Sequence, residues 1–236
     1  MRDFSNRYIF VFSTVMIVIV AVLLSSAAML LQPLQKKNIE LEKKQSILAS
    51  IHVEVPRKEA DKVFEKYITS SFVVNAQGEK VEGVDAFNVD MAAEIRNPVE
   101  ERKLPVYIAT LDDGSKKIIV PLRGKGLWGP IYGYISFDDD YNTVFGATFA
   151  HDKETPGLGA EIATKQFQKQ FTGKKIFDEN GNFTSIRVVK GGAPAGDPHG
   201  VDAISGGTLT SKGLEAMLRD CLSGYVAYFK KQQEQK

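Results

Sequence analysis

Residues 8–31 contain no charged side chain and are dominated by Val, Ile, Leu, Phe and Met. Coiled into a helix, such a run exceeds the roughly 20 residues needed to cross a bilayer. A cleaved signal peptide would have an apolar region of about 7–15 residues, and the only weak cleavage signal is Ser26-Ala27-Ala28. No cysteine closely follows the run to carry a lipid. It therefore predicts a retained single-pass anchor, residues 1–34. The span has no ionisable side chain, which argues against its conducting an ion itself. Arg2 and Arg7 precede it, while Lys36, Lys37, Lys43 and Lys44 follow. The positive-charge count alone thus does not place the following domain outside the cytoplasm, although large domains translocate largely regardless of charge.

Beyond the anchor the chain is long enough for one good-sized globular domain. Its net charge is +1, and no Lys/Arg cluster with interleaved aromatics occurs, so nucleic acid is not an expected partner. A single cysteine, Cys221, precludes an intramolecular disulfide, a cysteine-ligated zinc or an iron–sulfur cluster. Any redox chemistry must come from a cofactor. His52, His151 and His199 lie far apart in sequence and read as structural or surface residues, with His199 kept in view because it precedes Gly200 and Asp202.

Residues 35–51 alternate charges with Ile39, Leu41, Ile47 and Leu48, predicting a helical stalk within a stalk or linker region, 35–57. Over 58–72, Val63, Phe64, Tyr67 and Ile68 recur at helical spacing. Residues 72–84 suggest two short strands around Asn75-Ala76-Gln77-Gly78, and the charged stretch to Lys103 a helix plus loop. Four strands are then expected at 105–110, 117–122, 131–137 and 143–149, separated by turn residues. The predicted class is α+β, an antiparallel sheet flanked by helices and preceded by one transmembrane helix. Residues 58–103 form a segment packed on the main domain, 104–236. Further on, 160–171 reads as a helix with Ile162, Phe167 and Phe171 inward, and 184–190 as a strand.

Three ligand motifs can be weighed and set aside. Gly124-Lys125-Gly126-Leu127-Trp128-Gly129 has GxGxxG spacing, but the strand-like Pro130-Ile131-Tyr132-Gly133-Tyr134 follows instead of a helix that would hold a pyrophosphate. Asp138-Asp139-Asp140 lacks the alternating spacing of a calcium loop. Gly191-Gly192-Ala193-Pro194-Ala195-Gly196 is followed by no Gly-Lys-Ser/Thr, so no P-loop is present. The first loop still carries Trp128, the only tryptophan, which suits a planar ring or the core equally well. Glu154-Thr155-Pro156-Gly157-Leu158-Gly159 is a tight turn around one leucine, which can offer backbone amides and Leu158 to a ligand or simply begin a helix.

Asp202 is followed by Ser205-Gly206-Gly207-Thr208-Leu209-Thr210, immediately before a helix with Leu214, Met217, Leu218, Cys221, Leu222, Tyr225 and Phe229 on one stripe. Hydroxyls and the free amides of a helix start converge there, the chemistry of a phosphate site. The commoner use of such residues is simple helix capping.

These residues resemble the flavinylation motif of the FMN-binding domain family, and within it the C-type subunits of the Na+-translocating NADH:quinone reductases. The resemblance also rests on the Gly126-Leu127-Trp128 loop, residues 154–159, Lys190 to Pro194 and His199-Gly200-Val201-Asp202. It implies covalent FMN, esterified through its phosphate to Thr208 by a dedicated flavin transferase, with Thr210 as the neighbouring alternative. Leu127, Trp128 and Leu158 would flank the ring. Glu154, Thr155, Gly157 and Gly159 would shape the turn, and Lys190 would be a cation near the ring. The family usually has alanine where this chain has Gly207, and glycine admits the same turn at some entropic cost. The implied role is an electron-carrying subunit in a bacterial inner-membrane NADH:quinone reductase, its domain extracytoplasmic and its partners the other subunits. The G-type subunit of an ion-translocating ferredoxin:NAD oxidoreductase, or an unflavinylated scaffold, are the alternatives.

Overall fold

The computed structural model describes residues 5–235, so Arg2 and its charge lie outside the described residues. The chain divides between positions 43 and 44 into two compact units. Helix α1 (Asn6–Ser50) begins in the first with exposed apolar side chains, contains Pro33, and has its last residues, from Lys44, in the second. It is the one helix among the described residues long and apolar enough to cross a membrane. A helix pairs nearly all its backbone polar groups within the segment, which is what hydrocarbon demands.

The second unit is built on a six-stranded antiparallel sheet: β1 (Ile68–Val74), β2 (Lys80–Val81), β3 (Leu104–Thr110), β4 (Lys116–Lys125), β5 (Pro130–Phe137) and β6 (Val144–His151). Its order is β2-β1-β3-β4-β5-β6. Successive side chains point to opposite faces, and both faces are apolar. Val106, Ile118, Val120, Leu122, Ile131 and Ile135 face the core under the final helix, α5 (Thr208–Glu234). Tyr107, Ala109, Ile119 and Tyr134 face the other way, onto Ile47, Leu48 and Ile51 and the half-buried Val63, Phe64 and Tyr67 of α2 (Ala60–Tyr67). Each fully buried side chain of this size stabilises the fold by about 1.5–3 kcal/mol.

The apolar stripe of α5 is buried along its length, Cys221 included. Burial pushes the Cys221 thiol up to about 11, and its Sγ donates to the Arg123 carbonyl at 3.3 Å, the behaviour of a core residue. A second tie is Arg102, buried, whose guanidinium donates to both carboxylate oxygens of Asp220 at 3.1 and 3.3 Å and to the carbonyl of Asn97 at 3.0 Å. It fastens the loop after α3 (Met91–Glu94) to α5.

Three expected elements differ. The helix over 58–72 ends at Tyr67, because Ile68 starts a β-branched stretch that pairs with β3. The helix over 160–171 is broken into a 3-10 turn (Gly159–Ala163), α4 (Lys165–Gln168) and another 3-10 turn (Lys169–Phe171). The break is Thr164, extended at φ −78° and ψ 144°, whose side chain accepts from the amide of Phe167. Ile162, Phe167 and Phe171 are buried as expected. The strand over 184–190 shrinks to β7 (Arg187–Val189), since Ser185 has a positive φ of 60°. It pairs in parallel with β8 (Gly200–Asp202).

Candidate functional site

Three segments meet at the start of α5. The first is the loop between β4 and β5, closed by the Gly126 amide donating to the Gly129 carbonyl at 2.8 Å. This tight closure throws Leu127 and Trp128 outward, and Trp128 is 64 % exposed, which removes it from the core. The second is the turn after β6, where Leu158 and Ala160 donate their amides to the Thr155 carbonyl and Leu158 is left exposed. The third is the turn Ser205-Gly206-Gly207 and the first residues of α5. Gly206 has a φ of +73°, a left-handed conformation suited to glycine, and a Cβ there would overlap Leu158. Gly207 has an ordinary negative φ, and a Cβ on it would press on Ile204 at 2.9 Å.

Between these segments lies a cavity of about 300 Å³ walled by Leu127, Trp128, Glu154, Thr155, Leu158 and Gly159 on one side and residues 206–210 on the other. Four exposed large apolar side chains, Leu127, Trp128, Leu158 and Leu209, ring it. They are the only ones among the described residues outside α1. Isolated exposed apolar residues are ordinary on a surface, whereas a cluster marks a place where something binds.

The opposite wall is polar. The first intrahelical bond of α5 runs from the Ser211 amide to the Gly207 carbonyl at 2.9 Å, and no side chain caps the helix. The amides of Thr208, Leu209 and Thr210 are therefore free of intrahelical acceptors and carry the positive end of a 27-residue helix. Ser211, buried, accepts from the Ile204 amide at 3.1 Å and so pins the preceding turn to the helix.

Glu154 holds the three segments together from beneath. Only 4 % exposed, its carboxylate accepts from Thr210 Oγ1 at 2.5 Å and from the Trp128 amide at 2.8 Å. A Cβ on Gly126 or Gly159 would collide with its carboxylate oxygens, so both glycines make room for it. Burial acts to raise its pKa. The hydrogen bonds from Thr210 and the amides of Trp128 and Gly129, with His151 nearby, outweigh burial and hold it below the usual carboxylate range. Its own amide donates to His151 Nδ1 at 3.3 Å, giving that histidine a structural part.

Of the residues singled out from sequence, Leu127, Trp128, Glu154, Thr155, Leu158, Gly159, Gly206, Gly207, Thr208 and Thr210 line the cavity. The two threonines are not equivalent. Thr208 is half-buried at the helix start, whereas Thr210 is 1 % exposed with its hydroxyl spent on Glu154. Ser205 and Gly157 sit in the two turns but outside the wall. Asp202 accepts from the Ala193 amide at 2.7 Å, bracing the loop after β7. Lys190 is exposed at the end of β7 and also lies outside the wall. His199 stays with Thr184 and the Lys175 carbonyl, a structural role. Leu209 was missed by sequence reasoning. Its signal was an apolar residue at the start of α5 that falls off the buried stripe.

A small cavity with an apolar rim, facing free amides at the start of a long helix, has the chemistry that suits a flat ring carrying a phosphate. Residues 126–223 match the FMN-binding domain family. The chain is 37% identical over 211 residues to the C subunit of the Na+-translocating NADH-quinone reductase of Vibrio vulnificus, covering 83% of this chain and 82% of that one. The corresponding protein of Yersinia pestis is 32% identical, with 93% and 90% covered. A crystal structure of the C subunit from Parabacteroides distasonis superposes with a TM-score of 0.77 at 49% identity, over 84% of this chain and 96% of that one. Shewanella oneidensis NqrC gives 0.71 at 28% identity, over 83% and 98%. The chain belongs to the NqrC family, the C subunits of the Na+-translocating NADH-quinone reductases.

Proposed function

We propose that this chain is the electron-carrying, membrane-associated C subunit of a Na+-translocating NADH:quinone reductase, and that it holds FMN covalently as a phosphoester of Thr208. The observation that carries the assignment to Thr208 is the contrast between the two threonines. Thr208 opens onto the cavity beside three free helix amides, and Thr210 is buried with its hydroxyl engaged by Glu154. A phosphodiester retains a negative charge, which a helix start stabilises by about 0.3–2 kcal/mol. Such an attachment requires a flavin transferase as partner.

When bound, the flavin supplies the electron transfer, and the protein supplies position and surroundings. Leu127, Trp128, Leu158 and Leu209 offer apolar faces to the ring. Glu154 keeps the Trp128 loop and the start of α5 at a fixed separation through its two oxygens. The anchor places the domain at the membrane of a bacterium, on its extracytoplasmic side in our reading. The other subunits of the complex are the electron donor and acceptor.

In-gel fluorescence after denaturation, with the flavin transferase co-expressed, tests the linkage. Wild type and Thr210→Ala should fluoresce and Thr208→Ala should be dark. A dark wild-type band refutes covalent attachment, and a fluorescent Thr208→Ala band moves the linkage elsewhere.

A further inference from the structure

On the other side of the β4–β5 loop from this cavity runs a second groove, about 610 Å³, between the ends of those strands, the α3 segment and α5. Arg96, Arg123 and Lys125 line it, and none has an ion-pair partner among the described residues. Its acid, Asp220, is already held by the Arg102 fork. Lys212 and Arg219, likewise without ion pairs, extend the positive surface along the adjoining face of α5, where Glu215 is occupied by the Val188 amide at 2.7 Å. The domain thus gathers cations on one stretch although the whole chain is nearly neutral, at +1.

We propose that this groove docks an acidic segment of another subunit of the complex. The arrangement favours an extended acidic chain over a small anion. Arg96 and Lys125 stand exposed at the rim, and the Arg123 guanidinium lies over the Tyr132 ring at 5.0 Å, so the charges are spread along the groove and do not converge. The floor offers few donors to a phosphate, since Pro130 has no N–H and the Gly129 amide is turned to Glu154. Half-buried Ile95 and Pro130 add apolar surface. Lys125 and Pro130 are also the two ends of the loop that carries exposed Trp128. A partner seated in the groove would therefore lie against the apolar rim of the first cavity. Charges around an apolar centre are the usual anatomy of a specific interface, and they steer encounter more than they add affinity.

The test reads contact alone and does not depend on an attached flavin. A water-soluble carbodiimide is added to the intact complex in native membranes. It activates a carboxylate, the Lys125 amine attacks the activated carbon, an amide forms and the urea departs. Peptide mass spectrometry should find Lys125 joined to an Asp or Glu of another subunit. The yield should fall at least fivefold in Arg96→Glu and at about 1 M salt, where screening shortens to about 3 Å. The proposal is overturned if Lys125 is acetylated at equal rates in the complex and in the isolated full-length chain, or if it is shielded in the complex without any such link. Protection of Lys125 in the isolated chain by millimolar AMP or inorganic phosphate would also overturn it, making the groove a small-anion site.

Discussion

Thr208 and Thr210 stand two positions apart in one helical turn and have opposite fates, because a single buried carboxylate claims one hydroxyl and leaves the other. Glu154 is the residue on which the cavity's geometry depends. Its depressed pKa gives a pH signature with a definite sign. The folded value lies below that of an unfolded Glu, about 4.3, so the stabilisation is full above that pH and disappears as pH falls through the folded value. Comparing unfolding of wild type and Glu154→Gln, the stability gap should be widest near pH 7 and shrink below about pH 4. A gap that stays constant to pH 3 would show that the carboxylate is not held by these bonds.

At the scale of elements, α5 is the piece that joins core and site, since its stripe covers the sheet and its first turn faces the cavity. Gly213 sets how closely it approaches β4, because a Cβ there would overlap the Lys125 carbonyl. Gly213→Ala should therefore destabilise by about 1–3 kcal/mol through overpacking, against the gain of about 1 kcal/mol expected from helix propensity alone. Denaturant midpoints would show a net gain if the contact were slack. The end of α1 matters on the opposite face. A chain starting at residue 44 keeps Ile47, Leu48 and Ile51, all nearly fully buried, and should fold. One starting at residue 53 should lose several kcal/mol, at about 1.5–3 per side chain, detectable as a lower melting temperature. The strands were legible because β-branched runs alternated with turn residues, and α5 because its stripe has a helical period. The 160–171 segment was not, since the same inward Ile162, Phe167 and Phe171 can be presented by three short turns broken at Thr164. Nor could sequence foresee that Glu154 reaches Thr210, a contact between residues 56 positions apart.

At the scale of the whole molecule, the chain joins an apolar helix suited to the bilayer to a domain whose exposed apolar residues gather at one cavity. The covalent tether proposed above fits the extracytoplasmic placement proposed with it, because a flavin lost there could not readily be replaced. The small and hydroxyl residues of 202–210 suggested a phosphate site from sequence, and the structure gathers residues 206–210 on one wall of the cavity. The motif pointed to Thr208 with Thr210 as the alternative, and the burial that separates the two hydroxyls was not legible in the sequence. Mass spectrometry of the peptide that contains both threonines, from full-length protein matured with its transferase, decides between them most directly. The fragment ions should carry the added mass of FMN, less one water, on Thr208. An unmodified peptide, or the added mass on Thr210, would contradict the account.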